Sequence, residues 1–167
     1  MVTKTRTTGT ADRHVRVLLD NIRSVHNVGS IFRTAETLSI EHIYCVGTTP
    51  LPVDRFGNKR TDFAKVALGA ESMVQWEYAV NGPAIVKKLK KEGYTVVALE
   101  QAENSKDYKK VKIGTKTLII LGAEVDGVSP ELQRLSDEIA EIPQMGQKES
   151  LNVSVAAGIF LYRLLDK

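Results

Sequence analysis

The sequence predicts an α/β fold: a mostly parallel sheet with helices on both faces. Six short runs rich in Val, Ile, Leu or Tyr alternate with longer segments of helical period, the pattern of strands joined by crossover helices. Long connections follow several of these runs, as in open sheets whose ligands gather beyond the strand ends. A chain of 167 residues is large enough to bury one substantial core and too small for two.

Residues 15–19 form the first strand-like run, short and β-branched. Beyond it Val28, Ile31, Phe32, Ala35 and Leu38 recur at i, i+3, i+4, i+7 and i+10, a single apolar helical stripe. Further strands are expected at 42–46, 73–78, 94–99, 117–121 and 138–142. The other helices are expected at 62–68, at 83–92 with Pro83 in the first turn, at 130–135 capped by Ser129, and at 151–165. Connections 47–61, 101–116 and 143–150 are the longest. With no internal repeat or linker, residues 15–167 read as a single domain behind a basic leader, 1–14.

A chain that is 43% hydrophobic and 26% charged is an ordinary globular protein rather than a disordered one. No uncharged apolar run approaches the roughly 18 residues that span a bilayer, and the N-terminus is polar and basic rather than signal-like. A cytoplasmic protein is expected. The single Cys45 cannot form an internal disulfide and lies in an apolar run, where a buried, inert thiol is expected. His14, His26 and His42 lack ligand spacing, so no metal is expected. The net charge of +3 permits a polyanionic partner without requiring one. The basic residues group as Lys4, Arg6 and Arg13 in the leader, Arg55, Lys59 and Arg60 in a loop, and Lys87, Lys88, Lys90 and Lys91 at a helix end. Each group is either solvated surface or phosphate contact.

Three clusters could carry chemistry. The first runs from Asn27 to Ala35 and opens the striped helix. Arg33 projects nearly opposite the apolar stripe, toward solvent or a partner, and Gly29, one turn earlier, leaves open space beneath it. Equally, Asn27 reads as an N-cap and Arg33 as a solvated charge. The second cluster runs from Leu118 to Pro130: an apolar strand, a turn holding Gly122, Glu124 and Gly127, then a helix start. It has no GxxxxGK[ST] spacing, and no GxGxxG follows the first strand, so a phosphate-cradling loop and a nicotinamide-dependent oxidoreductase are both disfavoured. A tight turn with a surface Glu124 is its structural reading. The third runs from Glu141 to Gly158, where a strand ends at Pro143, a loop follows, and a helix starts near Ser150. Structurally, Ser150 is an N-cap, Asn152 a first-turn polar residue, and Ala156, Ala157 and Gly158 a close-packing face.

Together, in this order and spacing, the clusters match NxGxxxRxA, GxExxG after an apolar strand, and IPMxGxxxSLNVSxAxxI with Gln144 displacing the methionine by one place. From about residue 15 onward the chain resembles the SpoU/TrmH family of RNA 2'-O-ribose methyltransferases. The resemblance implies a C-terminal deep trefoil knot across residues 118–160, and S-adenosylmethionine bound around Leu99, Gly122, Glu124, Ile142, Met145, Ser150 and Leu151. It also implies a homodimer packed through the first and last motif helices, for which the small residues 156–158 beside Ile159 and Phe160 are suited. It assigns catalysis to Arg33, with Asn27, Glu124, Ser150 and Asn152 positioning it and the ribose. Because a free guanidinium is protonated far above neutral pH, Arg33 is expected either to lose its proton in the assembled site or to support the developing alkoxide. Only RNA offers a 2'-hydroxyl; tRNA is favoured over rRNA, with Arg6, Arg13, Arg55, Lys59 and Arg60 as phosphate contacts. The alternative is a knotted RNA-binding module that has lost catalysis.

Overall fold

The computed structural model describes residues 13–165. Among these, seven strands form one sheet: β1 (His14–Asp20), β2 (His42–Val46), β3 (Gln75–Ala79), β4 (Thr95–Leu99), β5 (Lys106–Asp107), β6 (Lys116–Gly122) and β7 (Glu138–Glu141). Their order is β3-β2-β1-β6-β4-β7-β5, and every pairing is parallel. The helices are α1 (Val25–Thr37), α2 (Thr61–Ala67), α3 (Gly82–Lys91), α4 (Pro130–Leu135) and α5 (Val153–Leu165), with a 3-10 turn at Ala70–Ser72.

The central strands are apolar on both faces because helices cover both, as parallel crossovers require. On one face Val17, Leu19, Val97, Ile119 and Leu121 meet Ile31 and Phe32 of α1, Phe63 of α2 and Phe160 of α5. On the other, Leu18, Val96, Leu118 and Ile120 meet Val86 and Leu89 of α3 and Leu132 of α4. Phe32 and Phe63 cross edge to face at 5.2 Å, joining α1 to α2.

The expected strands all occur within one or two residues of their bounds, and helices do lie on both faces. β5 was not expected: two residues inside the 101–116 connection pair with β7 at the sheet edge, too short to leave a pattern. Several local details differ. Ser24, not Asn27, caps α1, its hydroxyl accepting from the Asn27 amide at 3.2 Å. Ser129 makes no side-chain cap on α4; its amide donates instead to Asp20. The last helix starts at Val153, and the residue before it, Asn152, accepts from the Ser154 amide at 2.9 Å, leaving Ser150 outside. The space at Gly29 is not open. Val66 of α2 fills it, and a Cβ on Gly29 would lie 2.9 Å from the Val66 Cβ.

That approach generates a prediction. Gly29→Ala should destabilise the fold by about 1–3 kcal/mol, the usual cost of overpacking, although alanine favours helix. Urea denaturation measures it, and an unchanged midpoint would contradict the packing described.

Candidate active site

The sheet register brings the carboxyl ends of the central strands level: Asp20 of β1 stands opposite Val46 of β2 and Gly122 of β6. At Gly122 the chain must double back. A Cβ there would lie 2.1 Å from the Gly127 carbonyl carbon and the Val128 nitrogen, so only glycine admits the return. Ala123 and Gly127 exchange backbone hydrogen bonds of 3.1 and 3.0 Å, closing a turn that displays Glu124, Val125 and Asp126. Two acids at neighbouring strand ends pin it from below. Asp20 accepts from the Ser129 amide at 2.8 Å, and Glu100 accepts from the Val128 amide at 2.7 Å. Neither was singled out from the sequence; the available signal was an acid at the carboxyl end of each apolar strand.

The three clusters meet in one hydrogen-bonded chain. Asn27 Nδ2 donates to Glu124 Oε1 at 2.7 Å, Asn152 Nδ2 donates to Asn27 Oδ1 at 3.0 Å, and Ser154 Oγ donates to Asn152 Oδ1 at 2.6 Å. Because a carboxylate only accepts, Glu124 fixes the orientation of both amides in turn. The amides of Ser24 and Arg23 also donate to it, at 3.2 and 3.1 Å. Burial raises the Glu124 carboxyl pKa, but the hydrogen bonds from Asn27 and from the Arg23, Glu124 and Ser24 amides outweigh it, leaving the group below its ordinary value. Glu124 is therefore an anchored carboxylate, unsuited to serve as a base. Since its pKa is depressed on folding, its contribution to stability is present above the ordinary carboxyl range and is lost as pH falls through the lowered value.

Beside this chain opens a cleft of about 510 Å³. Leu99, Gly122, Glu124, Ile142, Ser150 and Leu151, six of the seven residues expected around the cofactor, line it, and so does Asn152. Met145 does not: it is 96% exposed, and Gln144, with Nε2 bonded to the Ile142 carbonyl at 2.7 Å, lines the wall instead. At the place the motif gives to methionine, this chain therefore presents Gln144 to the cleft. Glu100, Asp126, Glu141 and Glu149 also line the cleft and, among the described residues, no lysine or arginine does, although Arg23 pairs with Asp126 at 3.1 Å; the lining favours a cationic ligand.

Arg33 lies elsewhere. It is exposed on α1 and borders a separate hollow of about 300 Å³ with Ser30, Thr34, Thr37 and Tyr162. Of the expected phosphate contacts, Arg6 lies outside the described residues, Arg13 donates to the Leu164 carbonyl near the end of α5, and Arg60 pairs with Asp62 at 2.6 Å. Arg55 and Lys59 are exposed. The small residues of α5 do not share one face: Ala156 lines the cleft, whereas Ala157 and Phe160 are fully buried in this chain's own core.

A model of the SpoU rRNA Methylase family matches residues 14–162. The chain belongs to that family. Among SpoU relatives, an Archaeoglobus fulgidus protein described as an uncharacterized tRNA/rRNA methyltransferase is 33% identical over 148 residues, covering 89% of this chain and 62% of its own length. A Thermus thermophilus tRNA (guanosine(18)-2'-O)-methyltransferase is 32% identical over 146 residues, 87% of this chain and 71% of its own. An AdoMet-bound rRNA methyltransferase from Sinorhizobium meliloti superposes with a TM-score of 0.81 at 28% identity, over 95% of this chain and 60% of that one. This SpoU chain spans 58% and 66% of the lengths of two further curated relatives.

The direction of the hydrogen-bonded chain is testable. Asn27→Asp keeps the shape but sets two carboxylates against each other, and should cost about 1–3 kcal/mol near pH 8. The deficit against wild type should shrink as pH falls toward about 4, where a protonated Asp can donate again. Thermal unfolding across that range would show it, and a deficit independent of pH would refute the assigned direction.

Proposed function

We propose that this SpoU family chain is an S-adenosylmethionine-dependent RNA 2'-O-ribose methyltransferase, acting as a cytoplasmic homodimer without a metal and on tRNA in preference to rRNA. The supporting observation is the Glu124–Asn27–Asn152 chain, which ties the three motifs together at the rim of one cleft. The cleft suits the cofactor in size and charge. Its volume of about 510 Å³ lies within the roughly 300–1,000 Å³ typical of small-molecule sites, and its acidic lining suits a sulfonium cation. When bound, S-adenosylmethionine supplies the electrophilic methyl group.

The residues of the chain do the rest. Leu99, Leu121, Ile142 and Leu151 provide apolar walls, and the backbone of the Gly122–Gly127 turn provides directed polar groups. Asn27 and Asn152, oriented through Glu124, hold the mouth in register for the incoming ribose. Arg33 supports the developing alkoxide while the 2'-hydroxyl proton passes to solvent water. Since Arg33 lies off the cleft of its own chain, a second protomer delivers it. Val155, Ile159 and Tyr162, exposed at i, i+4 and i+7 on α5, with Tyr162 lining the Arg33 hollow, form the proposed dimer contact. A trefoil knot over 118–160 is consistent with β6 lying between β1 and β4 while the chain after β7 returns to the α1 face. The tRNA preference rests on the Thermus relative's named substrate. A cytoplasmic setting is in keeping with Cys45, a buried free thiol whose pKa burial pushes up to about 12.

Incubation with labelled cofactor and total RNA, followed by nucleoside mass spectrometry, should find label on ribose; label only on a base or on protein would overturn the proposal. Arg33→Ala should slow single-turnover transfer by about 10²–10³-fold with cofactor affinity unchanged. Mixing that variant with an Asn152→Ala protein should restore about a quarter of wild-type activity, the share given by random pairing of symmetric protomers. No recovery would place Arg33 and the cleft in the same protomer, and Ile159→Asp should yield monomers by sedimentation.

A further inference from the structure

The connection from β2 to α2 leaves the same sheet edge as the cleft, since Val46 and Gly122 both stand level with Asp20. Its base is fixed by the Thr49 hydroxyl, which donates to the Leu19 carbonyl at 3.0 Å, and by the Thr48 amide, which donates to Asn21 Oδ1 at 3.1 Å. Its tip is a closed turn. Val53 and Lys59 form an antiparallel bridge, and the Asp54 amide donates to the Asn58 carbonyl at 2.9 Å. The Asp54 carboxylate accepts from the amides of Phe56 and Asn58 at 2.8 and 2.9 Å, and Gly57 takes φ +81°, which completes the reversal.

What this rigid turn displays is unusual. Phe56 is 74% exposed, and the Arg55 guanidinium lies 4.7 Å from its ring centroid. One exposed aromatic residue is commonplace. Here, however, the ring is held outward by five residues of turn, one face is occupied by a cation, and Lys59 is exposed at the foot of the same turn, in its bridge to Val53. The one acid within the turn is consumed by the turn's own amides.

We propose that Phe56 is a stacking platform for an unpaired RNA base, with Arg55 closing the stack and Arg55 and Lys59 holding the flanking phosphates. This rests on the RNA methyltransferase reading and adds the element of substrate it grips. Aromatic rings accept any base face, whereas paired bases expose none, so the tip selects looped or unstacked RNA over duplex. It also supplies positive charge beyond the rim of a cleft that is itself acidic.

The test compares wild type, Phe56→Leu and Phe56→Trp as full chains, with total tRNA and with a short labelled oligoadenylate, free or in duplex. Phe56→Leu should weaken binding of tRNA and of the single strand by roughly 5- to 150-fold, raising KM for tRNA with kcat and cofactor affinity unchanged. Phe56→Trp should retain affinity, and its added fluorescence should be quenched by the single strand but not by the duplex. Wild-type RNA affinity in Phe56→Leu, with methylation intact, would overturn the platform and leave the methyltransferase reading standing. Absence of RNA binding and methylation in wild type would overturn both. A change of self-association in Phe56→Leu, with RNA affinity unaltered, would make the tip a protein contact and overturn the proposal.

Discussion

One acceptor-only group organises the site. Glu124 can receive protons in hydrogen bonds but offer none, so the Asn27 amide must point its nitrogen inward and its oxygen outward, and Asn152 must then do the same. Residues separated by 97 and 125 positions are thereby held in one register. Closing such long loops has an entropic cost that a few hydrogen bonds do not meet. The apolar faces of β1, β6, α1 and α5 supply most of the free energy, and the polar chain selects the arrangement.

The same edge gathers the acids of the cleft. In a parallel sheet every strand ends on the same side, which brings Asp20, Glu100 and Glu124 together there, with Arg23 paired to Asp126 at 3.1 Å. Asp20 and Glu100 use that position structurally, each satisfying an amide that the Gly122 reversal would leave unpaired. The consequence for ligands is a separation. The cleft lining is rich in acids, whereas Arg33, Arg55 and Lys59 are exposed outside it, and the proposed cofactor and RNA divide between these two places.

Much of this was legible in the sequence, for identifiable reasons. The central strands and α1 announce themselves because they are buried on two faces or on one long stripe, and burial leaves composition behind; β3, largely exposed at the sheet edge, is legible from Trp76 and Tyr78 instead. The motif residues Asn27, Glu124 and Asn152 could be named, but the hydrogen bonds among them could not, because relative orientation across 125 positions leaves no local pattern. Glu100 and Asp20 were missed since a strand-end acid looks like surface. That Gln144 rather than Met145 lines the cleft depends on which side of an extended segment faces inward, and the motif letters alone do not decide that. Gly29 was noticed for the right absence and the wrong occupant: the missing side chain makes room for Val66, not for a ligand.

Helix geometry accounts for the most consequential feature, the distance between Asn27 and Arg33. Six residues along α1 advance about 9 Å and turn about 240°, so two side chains at that spacing diverge and cannot line one small cavity. Asn27 is held at the rim of the cleft by its bonds to Glu124 and Asn152, and Phe32 and Gly29 fix the helix's roll against the core and α2, with Arg33 turned away. A motif that carries both residues on one rigid helix therefore serves two places at once, and α5 repeats the arrangement, with Asn152 just before its first turn at the cleft and Tyr162 beside Arg33. The proposed reaction brings both residues to one ribose, and on that proposal assembly is a condition of catalysis rather than an addition to it.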